Sequence, residues 1–166
     1  LKCAAGKFQD EEGATACKPC RDAYFCPRGA SVPLPCPGGT AAPSSFSGAM
    51  TSEEQCEVCR NGTFCPVGSD NATLCAAGTY NPIERQEKCL KCAAGKFQDE
   101  EGATACKVCT GQYYCAEGAA ATMPCPGGTH ANQTVLNLTG FLSSLEQCVI
   151  CPAGTSCSVG SADPKP

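Results

Sequence analysis

Five cysteine pairs in the chain have C-x-x-C spacing: Cys17/Cys20, Cys56/Cys59, Cys89/Cys92, Cys106/Cys109 and Cys148/Cys151. That spacing serves three chemistries. A zinc site needs four thiolates converging tetrahedrally. A redox centre needs a low-pKa thiol at a helix start in a βαβ setting. A disulfide scaffold needs only an oxidising compartment. Neither of the first two settings is visible around these pairs. Eighteen cysteines do not divide into fours, and His130 is the one histidine. The cysteines read as structural disulfides, with no metal, no cofactor and no redox catalysis.

The remaining chemistry-bearing residues lead to the same class. The runs Asp10-Glu11-Glu12 and Asp99-Glu100-Glu101 could hint at calcium, but calcium takes six to eight oxygens from several segments. Adjacent carboxylates before a glycine read instead as a solvated turn. With the thiols committed, His130 has no nucleophile to serve. No phosphate loop or metalloprotease motif is present, so an enzyme is not expected. Four N-x-[ST] sequons, at Asn61, Asn71, Asn132 and Asn137, point to N-glycans and a secretory route. The stretch Pro43-Ser44-Ser45 is a candidate for O-glycans.

The elements that hold these residues must be built without much hydrocarbon. The chain has 166 residues, 18 Cys, 18 Gly, 13 Pro and no Trp. Such cysteine density marks a disulfide scaffold of the extracellular or cell-surface space. Leu, Ile, Val and Phe are scarce, so cross-links must replace a core. Closing a loop of about 15 residues is worth about 3 kcal/mol in the chain-entropy model. A net charge of −4 without a basic cluster argues against nucleic acid. No apolar run of membrane-spanning length occurs. The chain opens at Leu1 without a signal peptide and reads as a mature piece of something longer.

Leu1–Lys18 and Leu90–Lys107 are identical, letter for letter. Such duplication suits similar modules that meet similar neighbours. Nine units of roughly 16–26 residues follow from the cysteine spacing, each with two cysteines. Long-loop units are Cys3/Cys17, Cys36/Cys56, Cys75/Cys89, Cys92/Cys106 and Cys125/Cys148. Short-loop units are Cys20/Cys26, Cys59/Cys65, Cys109/Cys115 and Cys151/Cys157. Two repeats result: residues 1–91 with five units and 92–166 with four. Pairing within each unit uses every cysteine and predicts nine sequential bridges. The rival is an interlocked pattern such as Cys17–Cys26 with Cys20–Cys36.

Each unit opens on Cys-x-x-Gly, except at Cys20 and Cys109, where Ala23 and Gln112 stand in register. The glycine turns the chain at positive φ. The aromatic after it (Phe8, Phe64, Tyr80, Phe97) is placed to lie on a disulfide or on the next unit. Lys7-Phe8 and Thr79-Tyr80 suit short extended runs, so each long unit is expected to be a small irregular β-hairpin. No window sustains helical periodicity. Val135–Leu145 is the most apolar loop, a candidate helical turn or contact patch, whereas Ala42–Ser52 is bland. The expected fold is small and disulfide-rich: an elongated tandem array of short irregular β-hairpin and loop units, with little or no helix.

The pattern C-A-A-G-K-F-Q-D-E-E-G-A-T-A-C-K-x-C, at Cys3–Cys20 and Cys92–Cys109, resembles the ephrin-receptor-like cysteine-rich repeat. That repeat is widespread in surface proteins of algae, ciliates and other protists. It is similar in style to tumour-necrosis-factor-receptor and growth-factor-receptor modules. Cysteine spacing carries the resemblance over nearly the whole chain, least in Gly128–Gln147. It implies a disulfide-laddered rod without catalytic residues. In mastigoneme-type proteins similar repeats contribute to glycosylated extracellular fibres. The expected function is therefore structural: a secreted glycoprotein that self-associates into a filament or surface coat. The alternative is the stalk or ligand-binding ectodomain of a receptor or adhesin.

Overall fold

The computed structural model describes residues 2–43 and 48–166. The proposed O-glycan positions Ser44 and Ser45, and with them the centre of the loop Ala42–Ser52, lie outside the described residues. The chain divides into two compact bodies. One comprises Leu1–Cys75 with Asn81–Cys89, the other Ala76–Tyr80 with Leu90–Pro166.

Both bodies are built from antiparallel two-stranded hairpins. In the first, Lys7–Phe8 pairs with Lys18–Pro19, Tyr24–Phe25 with Leu34–Pro35, Thr40–Ala41 with Glu57–Val58, and Thr63–Phe64 with Thr73–Leu74. In the second, Thr79–Tyr80 pairs with Leu90–Lys91, Lys96–Phe97 with Lys107–Val108, Tyr113–Tyr114 with Met123–Pro124, and Thr129–Ala131 with Cys148–Ile150. A ninth hairpin is reduced to one antiparallel bridge, Ser156 with Lys165. The protein is a small disulfide-rich array of β-hairpins.

The hairpins differ from the sequence expectation in two ways. Short-loop units form hairpins as well as long-loop ones. The two residues inside C-x-x-C are also more than a junction. Lys18–Pro19, Glu57–Val58, Leu90–Lys91 and Lys107–Val108 are the return strands of their hairpins. The reason is geometric. A cysteine at each end of a two-residue strand turns both sulfurs towards bridges on either side while the strand stays paired.

Isolated two-stranded hairpins are marginal in water. Here six of them are joined to their successor by a parallel bridge. Phe8 forms a parallel bridge with Ala30, Phe25 with Met50 and Ala41 with Ser69. Within the second body Phe97 bridges Ala119, Tyr114 bridges Leu142 and His130 bridges Ser161. The loop of one hairpin thus occupies the free edge of the hairpin before it. This covers polar backbone that would otherwise stand open.

The apolar clusters follow the same rule. Phe8 packs on Cys20 and Cys26 of the following unit, and Phe25 packs on Cys36 and Met50. Glycine is required where loops approach. A Cβ on Gly95, at φ +83°, would overlap the Phe141 ring. A Cβ on Gly39, at φ +80°, would overlap the Arg85 carbonyl.

The loop Val135–Leu145 holds the one α-helix among the described residues, α1 (Gln133–Thr139). Asn132 caps it: its side-chain oxygen accepts from Thr134 N–H at 3.0 Å and Val135 N–H at 3.3 Å. Gly140 ends it at φ +80°. Val135 and Leu136 pack on Cys125, Ala131 and the fully buried Leu142. Three apolar residues of this loop, Val135, Leu136 and Leu142, are thus drawn into a local cluster. The contact patch shrinks to Leu138 and Leu145, which remain exposed.

Candidate functional site

The eighteen cysteines make nine bridges, and none is free. Cys3 joins Cys17, Cys20 joins Cys26, Cys36 joins Cys56, and Cys59 joins Cys65. Cys75 joins Cys89, Cys92 joins Cys106, Cys109 joins Cys115, Cys125 joins Cys148, and Cys151 joins Cys157. Cα separations run from 5.6 to 6.3 Å, inside the range that a bridge spans without backbone movement. The two cysteines of every C-x-x-C belong to different bridges. Among the described residues no group of three or more Cys, His, Asp or Glu is placed to hold a metal.

The acidic runs close back on lysines across their own hairpins. Lys18 Nζ lies 2.7 Å from Asp10 and 3.0 Å from Glu11. Lys107 repeats this with Asp99 at 2.6 Å and Glu100 at 3.3 Å. The lysine hydrogen bond, seconded by a backbone bond, holds the Asp10 and Asp99 carboxyls below the usual aspartate value. The carboxylate hydrogen bonds hold both lysines above theirs. All four groups are exposed, so solvent screens these pairs. The sequence reading treated the runs as solvated and missed the lysine partners. The signal was an opposite charge eight residues from the aspartate, on the return strand.

Two buried amides also escaped it. Gln98 Nε2 donates to the Ala105 carbonyl at 2.7 Å, and its oxygen accepts from Glu100 N–H at 3.0 Å. Gln9 makes the same pair of bonds to Ala16 and Glu11. Each staples its long loop. Asn81 is fully buried; its Nδ2 donates to the Thr63 carbonyl at 2.8 Å. Its Oδ1 has no partner among the described residues. No local spacing announces such a contact, because Thr63 belongs to a different hairpin.

The remaining positions are scattered. His130 lies in a strand opposite Val149, with Nδ1 3.0 Å from the Ala131 carbonyl. Asn61, Asn71 and Asn137 are exposed, the last on α1. Asn132 is half-buried and its oxygen is committed to the helix cap. What the array does bring together, repeatedly, is backbone. The second cysteine of each of three short-loop units donates its N–H to the next long loop: Cys26 to Met50 at 3.0 Å, Cys65 to Gln86 at 2.8 Å, and Cys115 to Leu142 at 3.1 Å. Hairpin edges that accept a loop are thus the recurrent backbone contact of this molecule.

The fold is that of a disulfide-laddered hairpin module. A family described as tyrosine-protein kinase ephrin type A/B receptor-like matches residues 62–109 and, in an overlapping frame, residues 78–122. The stretch 62–122 is therefore similar to an ephrin-receptor-like cysteine-rich module, a non-catalytic and extracellular kind of domain. No curated protein matches the chain. Among the described residues no helix is long and apolar enough to cross a membrane.

Proposed function

We propose that this chain is a secreted structural glycoprotein module that assembles with its own kind into an extracellular filament or surface coat. The observation that carries the reading is the letter-for-letter identity of Leu1–Lys18 and Leu90–Lys107. Equivalent surfaces that recur along a chain support head-to-tail contacts, and such contacts propagate without closing. Nine bridges suit an oxidising space outside the cell. Exposed Asn61, Asn71 and Asn137 suit a glycosylated surface. Electron microscopy of native material tests the reading: fibres or sheets are expected. Dispersed particles under all conditions would remove it.

A second reading is a receptor or adhesin ectodomain. It is favoured by the match at residues 62–122 to a family described by its receptors. Exposed Leu138 and Leu145 would then belong to a ligand-facing patch. The complete gene separates the two readings, since a receptor requires a membrane-spanning segment.

A further inference from the structure

Gly62 is the turn glycine of its hairpin, and the residue before it sets it apart. The turn glycines Gly6, Gly39, Gly78, Gly95, Gly128 and Gly154 follow alanine or glycine, whereas Gly62 follows Asn61. The other asparagines precede Ala72, Pro82, Gln133 and Leu138. In an Asn-Gly pair the backbone nitrogen of the glycine can reach the asparagine side-chain amide with no Cβ to obstruct it.

The fold holds these two residues differently. Asn61 is exposed and Gly62 is buried, at φ +77°. Gly62 N–H donates to the Asn81 carbonyl at 2.9 Å, and the Gly62 carbonyl accepts from Cys75 N–H at 2.9 Å. The loop that supplies Asn81 clasps the same hairpin elsewhere too. Asn81 Nδ2 donates to the Thr63 carbonyl at 2.8 Å, Cys65 N–H to Gln86 at 2.8 Å, and Arg85 N–H to the Cys59 carbonyl at 2.9 Å. Cys75–Cys89 closes that loop, and Asn81 is fully buried within it.

We propose that Asn61 is a latent site of deamidation through a succinimide, and that the loop 81–89 is the latch that keeps it silent. The Gly62 nitrogen reacts only after losing its proton to a base from solvent. Buried against the Asn81 carbonyl, it is out of reach, so the reaction runs through local opening, as hydrogen exchange does.

With the latch open, base removes the Gly62 N–H proton and the nitrogen attacks Cγ of Asn61. The bond from Cγ to Nδ2 breaks, and Nδ2 leaves as ammonia with protons returned by water. The succinimide ring then takes up water at either carbonyl, giving aspartate or isoaspartate at position 61. The sum is asparagine and water to acid and ammonia, with no change in oxidation state. Isoaspartate inserts a backbone methylene into the short loop closed by Cys59–Cys65, of sequence separation 6. It also removes the sugar acceptor of the Asn61 sequon, so an opening of the latch is recorded permanently. A glycan on Asn61 crowds the same carbon, and the site therefore belongs to chains that leave Asn61 bare.

The full chain, oxidatively refolded from a host that adds no N-glycans, tests the proposal. It is incubated at neutral pH, isoaspartate at position 61 is quantified by peptide mapping, and hydrogen exchange at Gly62 is followed in parallel. Both events need the same amide released, so both should change by the same factor. Expected are slow accumulation in the unsubstituted chain, a rise of about fivefold or more in Asn81→Ala, and a rise of about tenfold or more in Cys75→Ala/Cys89→Ala. Exchange at Cys26 should stay unchanged in each. Isoaspartate that forms equally fast in every chain, or that stays flat while Gly62 exchange quickens, overturns the proposal. If the variants misfold, the unsubstituted chain in graded urea below its unfolding transition decides, since isoaspartate and Gly62 exchange must there rise together.

Discussion

The backbone N–H of Cys65 points at the carbonyl of Gln86, 2.8 Å away, so the disulfide of one hairpin is roofed by the loop of the next. Cys65 is fully buried as a result, in a chain with few hydrocarbon side chains to bury it. Sulfur bridges fix each loop locally, and the loops then cover one another. Stability and module order share one cause.

That coupling makes the Cys75–Cys89 bridge matter beyond its own loop. Replacing both cysteines by alanine removes a closed loop worth about 2–5 kcal/mol. It also frees residues 81–89 from Gly62 and Cys65. Hydrogen exchange should therefore quicken at the Gly62 and Cys65 amides, while Cys26 keeps its protection. Equal loss at Cys26 would show that the hairpins do not stack pair by pair.

Asn81 is a buried polar contact between the loop 81–89 and the strand Thr63–Phe64, both in the first body. Asn81→Ala strands the Thr63 carbonyl and should cost about 1–3 kcal/mol, read as a fall in thermal midpoint. Asn81→Asp should cost more, because the donor is replaced by a charge next to a carbonyl oxygen. Unchanged midpoints in both variants would contradict the contact.

The Lys18 and Lys107 pairs predict a shallow pH dependence. The Asp10 and Asp99 carboxyls are held low, chiefly by the lysine hydrogen bond. Their contribution is present above the unfolded aspartate value and fades as pH falls through the lowered folded one. The lysines are raised, so theirs is present below the ordinary lysine value and fades as pH rises through the raised one. Between these limits stability should be flat. A carbon-detected titration should place Asp10 below a free aspartate, and Lys18→Met should return it. Added salt should narrow the difference. An Asp10 midpoint indifferent to Lys18→Met would refute the pair.

The two sequons in the α1 region should behave differently on substitution. Asn132→Ala removes an N-cap and should cost about 1 kcal/mol whether or not the residue carries a glycan. In the protein freed of N-glycans, Asn137→Ala, at an exposed helical position, should leave the thermal midpoint unchanged. Glycopeptide analysis of secreted material should find sugar on Asn61, Asn71 and Asn137, where the side chains face solvent.

Much of the hairpin array was legible because its signals are local. Lys7-Phe8 and Thr79-Tyr80 follow a turn glycine, and both are strands. Three features were harder to see. Return strands such as Lys18–Pro19 lie inside C-x-x-C, a spacing that draws attention to sulfur instead of backbone. Helix α1 is too short for periodicity; its signals were Asn132 and Gly140 at its ends. The loop-on-edge contacts, Cys65 to Gln86 or Asn81 to Thr63, join residues whose separation varies from one hairpin to the next. They depend on a three-dimensional neighbour and leave no spacing in the chain.

The hairpin array requires each cysteine to be joined to its neighbour in the cysteine order. Protease digestion of the native chain without reduction, followed by mass analysis of the linked peptides, tests this most directly. The expected result is nine linked pairs, among them Cys17 with Cys3 and Cys26 with Cys20. Recovery of Cys17 linked to Cys26, or of Cys20 linked to Cys36, would contradict the hairpin array.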